Sequence, residues 1–190
     1  MTSLLDQTDL VVQHRPMLFE RRVGYDVLDQ QGTLLGSAVQ VGRDNLEKLL
    51  RPRRSDNART SFELSEHSGS VVLRLTHIQA FKSSLVLELP NGAEVGRIRL
   101  EKRLGKSRFA LEVAGTGVGA MTAKTWRNKN FVVVDGQAAE LARIDMTRGH
   151  SGDHSHANDY TIHINRRLED PLRSLAVAAV IAADMILWHR

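Results

Sequence analysis

The segment that most constrains this chain is its last apolar stretch, Leu172 to Trp188, which contains no turn residue after Pro171. Asp170 followed by Pro171 sets a good N-cap before the residue best tolerated at the first helical position. A helix therefore starts there. Leu172, Leu175, Ala176, Ala179, Ala183 and Ile186 share one side of it, while Val177, Val180, Ile181 and Trp188 lie on the others. A helix that is apolar nearly all round is buried on every side, in protein or in a bilayer. The uncharged run from Ser174 to Ala183 is only about ten residues long, and Asp184 interrupts it, whereas a membrane span needs roughly 20. Asp184 in hydrocarbon would cost about 2.5–3.5 kcal/mol. The expectation is a buried core helix, and the small residues Ala176, Ala178, Ala179, Ala182 and Ala183 suit a tight sheath. Asp184 lies late in the helix, where the dipole disfavours negative charge, so it requires a partner: an inward-facing arginine or a barrel hydroxyl.

The rest of the chain supplies the sheath. An alternating apolar segment runs into a Gly-containing turn and a second alternating segment follows, which is a hairpin pattern. It occurs over Tyr25 to Gly36, and from Ser61 through Ser68 and Gly69 to Ile78. A third copy runs from Leu85 through Pro90, Asn91 and Gly92 to Leu100, where Asn-Gly predicts a tight turn with positive φ angles. Further copies span Phe109 to Val113 with a turn region at Gly115 to Gly119, and Phe131 to Ile144 around Gly136. Tyr160 to Ile164 forms a last strand, and Leu10 to Val12 a first one. This gives about eleven or twelve strands, spaced as in an all-β sandwich or barrel. One short helix is expected over Asp44 to Leu50, where Asp44 and Glu47 form a capping box. A helix with side chains is about 10–12 Å across, too wide for an eight-stranded barrel but not for one of about twelve strands. The fold class is therefore mainly β: a barrel of about twelve antiparallel strands enclosing the C-terminal helix. Residues 1–190 are expected to form one domain with 172–188 at its centre.

Composition narrows the chemistry. The chain has no cysteine, which excludes disulfides, thiolate nucleophiles, S-palmitoylation and cysteine-ligated zinc. Met1 to Leu18 lacks the basic-then-apolar run of a signal peptide, so a cytoplasmic location is expected, peripheral at the membrane. A net charge of +4 favours anionic partners. Aromatic residues make up only 5%, too few for the stacking platforms of a single-strand binder, so no nucleic acid is expected.

The repeated unit at Tyr25 to Asp29 with Gly32 and Gly36 has an echo at Leu87 to Leu89 with Gly92, Val95, Gly96 and Ile98. The chain then ends in Asn158 to Ile162, Asp170, Pro171 and the helix. In this order the chain resembles the phospholipid scramblase-related and LURP-one-related families, which share the tubby-like fold. The resemblance spans most of the chain. It implies a twelve-stranded barrel around a hydrophobic helix, and a membrane-associated or phosphoinositide-binding role. Scramblases carry an acidic calcium loop before the last helix. Here Asn158, Asp159, Asn165, Glu169 and Asp170 are interleaved with Arg166 and Arg167. Calcium needs six to eight oxygens from a loop that wraps it, so no calcium is expected.

Two basic segments are the candidate anion and lipid contacts. Arg51, Arg53 and Arg54 can hold phosphates through guanidinium forks. Lys124, Arg127 and Lys129 surround Trp126, an aromatic suited to a membrane interface. His150, His154 and His156 have the composition of a metal tract, but their Gly/Ser-rich setting reads as a solvated loop, and no metal or cofactor is expected. No catalytic motif is present: there is no nucleophile elbow, P-loop, dinucleotide fingerprint or His-Glu-x-x-His. Gly115, Gly117 and Gly119 lie between strands, not at a helix start. The expected function is a non-enzymatic binding module for anionic phospholipid headgroups. The alternatives are a scramblase, or a protein-interaction or nucleic-acid-binding barrel.

Overall fold

The computed structural model describes residues 3–16, 23–41, 58–79, 83–103, 106–123, 130–148, 158–165 and 167–188. A 3-10 turn over Leu4–Asp6 precedes the strands β1 (Asp9–Pro16), β2 (Val23–Leu28), β3 (Leu34–Val41) and β4 (Ala58–Glu66). Then come β5 (Val71–Gln79), β6 (Ser84–Glu88), β7 (Glu94–Arg103) and β8 (Lys106–Val113). The chain continues through β9 (Thr116–Ala123), β10 (Phe131–Asp135), β11 (Glu140–Arg148) and β12 (Asn158–Ile164) to the helix α1 (Leu172–Trp188). Every strand pairs antiparallel with its neighbours in sequence, and β1 closes the ring by pairing with both β2 and β12. The fold is thus the expected twelve-stranded barrel with one C-terminal helix. The short helix expected over Asp44 to Leu50 lies outside the described residues.

Alternation follows the pleat of the strands. On β5, Leu73, Leu75 and His77 are buried while Arg74 is exposed; on β8, Phe109 and Leu111 point inward. α1 fills the lumen that these side chains line. Its residues from Ser174 to Ile186 are all buried, and it packs against β5, β6, β7, β11 and β12. Among the described residues no helix is long and apolar enough to cross a membrane.

Five hairpins whose turns lie wholly within the described residues follow one pattern. Four of them turn in the same way: Asp29, Glu66, Leu89 and Asp135 each receive an amide from the residue three positions on and donate to the carbonyl four positions on, at 2.8–3.1 Å. Each has a left-handed residue just before the last turn position: Gly32, Gly69, Gly92 and Ala138, with φ of 82°, 87°, 87° and 64°. This is a type I turn closed by a left-handed residue, the usual three-residue hairpin loop. The turn at Asn91 and Gly92 is therefore of this kind; only Gly92 has positive φ, because the longer loop needs just one left-handed position. The two-residue turn with both φ angles positive occurs instead at Ala114 and Gly115 (48° and 77°). Strand β9 begins directly after it, so Gly117 and Gly119 belong to a strand and the turn is shorter than Gly115 to Gly119.

Each hairpin also carries one bulge on its returning strand beside the turn. The register shifts leave Leu35, Val72, Val95, Val118 and Leu141 as the extra residues. All five are apolar and pack on or in the core. A bulge bends its strand and sharpens its twist, as barrel rims require.

Candidate functional site

Antiparallel alternation sorts the connections between two ends of the barrel. The five tight turns, the Leu4–Asp6 turn and the start of α1 lie at one end. The strand ends Pro16 and Val23, Val41 and Ala58, Ala123 and Phe131, and Arg148 and Asn158 lie at the other rim, towards which α1 runs. Arg51, Arg53 and Arg54, and Lys124, Trp126, Arg127 and Lys129, lie outside the described residues, as does the tract from His150 to His156. The strands flanking both basic segments are described. β3 and β4 bracket the first, β9 and β10 the second, and these pairs stand half a ring apart at the same rim.

Below this rim lies the buried carboxylate of Asp184, 3% exposed. The Tyr25 hydroxyl donates to its Oδ2 at 2.8 Å and the Tyr160 hydroxyl to its Oδ1 at 2.7 Å. Both are near the short distances of charge-assisted O–H···O⁻ bonds. Burial, and then the Asp184 charge, push the Tyr25 phenol well above its ordinary value, so it stays a donor. The His14 ring stands edge-on to Tyr25 at 5.6 Å, and Phe62 lies against Tyr25 at 6.0 Å. The partners that Asp184 requires thus include a pair of barrel hydroxyls. A signal for them was present: these are the chain's two tyrosines, and each sits at an inward position of an alternating strand, Tyr25 before Val27 and Tyr160 before Ile162.

The oxygens considered for calcium do not converge. Asp159 lies on β12 near the rim, whereas Asp170 lies beyond the other end of that strand. Asp170 accepts from the Ser174 amide at 3.2 Å, the Ser174 hydroxyl at 2.6 Å and Arg173 Nη2 at 2.6 Å. It is engaged in starting α1. The Asn165 amide donates to Glu140 at 3.0 Å. Among the described residues no group of three or more His, Asp or Glu side chains is arranged to hold a metal.

An open concavity of about 610 Å³ lies on the outer face, floored by Ala110, Gly117 and Ala120 and walled by Arg99, Glu101, Arg108 and Glu112. Its arginines are paired within the wall. Arg99 Nη2 meets Glu112 at 2.5 Å and Glu101 at 3.5 Å, and Arg108 meets Glu101 at 3.3 Å. Self-compensation of this kind does not make an anion site.

No protein-family profile matches the chain, and neither does any curated protein. Among solved structures, an X-ray structure of an Arabidopsis thaliana protein, AT5G01750, is similar at a TM-score of 0.51 and 14% identity. The match covers 94% of this chain and 91% of that one. At that identity the likeness concerns the fold: a barrel of the same class.

Proposed function

We propose that this barrel is a scramblase-related and LURP-one-related binding module, not an enzyme, which recognises anionic phospholipid headgroups peripherally at a cytoplasmic membrane surface. The observation that carries this reading is the placement of strand ends. β3–β4 and β9–β10, which bracket the two basic segments, stand on opposite sides of one rim. A single small anion would be served by neighbouring connections, whereas an extended anionic plane meets both sides of a rim at once. The paired outer-face arginines leave the rim as the better place for such contact. Trp126 among three cations supplies the amphipathic ring that favours a headgroup layer.

Flotation with vesicles tests it. Vesicles containing phosphatidylserine should carry the protein at low salt, and vesicles of phosphatidylcholine alone should not. Each basic residue near such a surface contributes about 1 kcal/mol, so replacing Lys124, Arg127 and Lys129 with Ala should weaken binding roughly a hundredfold. Replacing Arg51, Arg53 and Arg54 should weaken it to a similar degree, and salt should weaken the native protein in the same direction. Absence of flotation at low salt would sink the reading.

A further inference from the structure

α1 offers few features by which a barrel could tell one rotation of it from another. Five of its residues are alanine, and apart from Ser174, Asp184 and Met185 its buried residues are otherwise aliphatic. Besides the first-turn bonds of Arg173 to Asp6 and of Ser174 to Asp170, two contacts with the barrel strands break this degeneracy. At the turn end, Leu175 sits against Gly96 on β7. A Cβ added to Gly96 would lie 3.3 Å from Leu175 Cδ2 and 2.6 Å from the Glu112 carbonyl oxygen, so only a glycine leaves this notch open. Nearer the rim, Asp184 is held by Tyr25 on β2 and Tyr160 on β12, the strands on either side of β1.

The two contacts are geometrically complementary. Leu175 and Asp184 are nine residues apart, hence about 13.5 Å along the axis and about half a turn around it. In a twelve-strand ring, β7 is the strand diametrically opposite β1. The half-turn on the helix thus matches the half-ring on the barrel. A single contact would leave the helix free to pivot; two on opposite sides and at different heights determine rotation, tilt and depth together.

We propose that Leu175 in the Gly96 notch and Asp184 between Tyr25 and Tyr160 form a two-point key that selects one pose of α1 in a barrel able to enclose it in several. Buried polar groups have this registering role in some helical assemblies. The key also determines where the C-terminal turn of α1 meets the loop rim, and it stands whether or not that rim binds lipid.

The test replaces the polar point with apolar groups of similar shape, Asp184→Leu with Tyr25→Phe and Tyr160→Phe. The triple replacement removes the carboxylate together with both phenols that donate to it, and replacing bonded polar partners jointly by apolar groups of similar shape is often nearly neutral for stability. Methyl NMR of Leu175, Val180, Ile181 and Ile186 reads the pose. The native protein should show one set of helix methyl signals, with any second pose more than a hundredfold rarer. The triple variant should keep its strand amide pattern and show a second set within tenfold of the first. Asp184→Asn should restore one set, because the amide can accept from one phenol and donate to the other. One set in the triple variant, two in the native protein or two in Asp184→Asn would overturn the key. So would an unfolded triple variant, since the network would then be needed for folding itself and not for choosing a pose.

Discussion

Asp170 shows how one side chain is committed by its neighbours. Burial alone would raise its pKa, but the bonds from Arg173 and Ser174, together with the Arg173 charge, hold it below the ordinary range. Asp9 behaves alike, with burial opposed by His163 and Thr8. A carboxylate with a depressed folded-state pKa contributes stability that is present above its unfolded value, about 3.9, and lost as pH falls through the folded value. The urea midpoint should therefore fall between pH 5 and pH 3. Asp170→Asn should have a lower midpoint at pH 5 and a shallower fall below it; an unchanged slope would mean that this residue does not carry the effect. Asp170 was legible as the residue that opens the helix because Asp followed by Pro is a strong local signal, although α1 begins at Leu172, one residue later than a helix with Pro171 at its first position. Tyr25 and Tyr160 were not assigned to Asp184 because their separations from it, 159 and 24 residues, are bridged only by ring closure and by the helix entering the lumen.

The hairpin is the repeating element, and its turn and its bulge were unequally visible beforehand. Glycine marks the left-handed position in three of the four equivalent turns; in the fourth that position is Ala138, which its sequence neighbours do not single out. Its side chain resists the φ of 64° that the turn demands. Ala138→Gly should raise stability by about 0.5–1 kcal/mol, which in a chain of this size is a melting temperature about 1–4 °C higher. No rise in the thermal midpoint would show that the turn carries no strain. The bulges were hidden for another reason. An extra apolar residue such as Leu35 or Val95 breaks the period of two by one position, and only pairing with the neighbouring strand distinguishes a bulge from an ordinary strand end.

At the scale of the whole molecule, helix and barrel bury one another. The residues from Ser174 to Ile186 are buried against strands from both halves of the chain and share one core with the inward side chains of those strands. Ending the chain before Leu172 should abolish the cooperative urea transition and expose apolar surface that binds ANS; a sharp two-state transition in the shortened chain would show that the sheet closes on its own. Several properties of the whole could be read from local patterns. The period of two, the turn residues and an all-apolar helix of limited length together require many antiparallel strands around a buried helix, because no other arrangement covers every face of that helix with a sheet of this composition. Tertiary structure decided what depends on closure: that the count is twelve, that β1 joins β12, that both basic segments attach to opposite sides of one rim, and that Asp184 meets the two tyrosines. These are relations across the ring. They exist only once the sheet has closed on itself, because closure is what sets strands distant in sequence beside one another and around the helix.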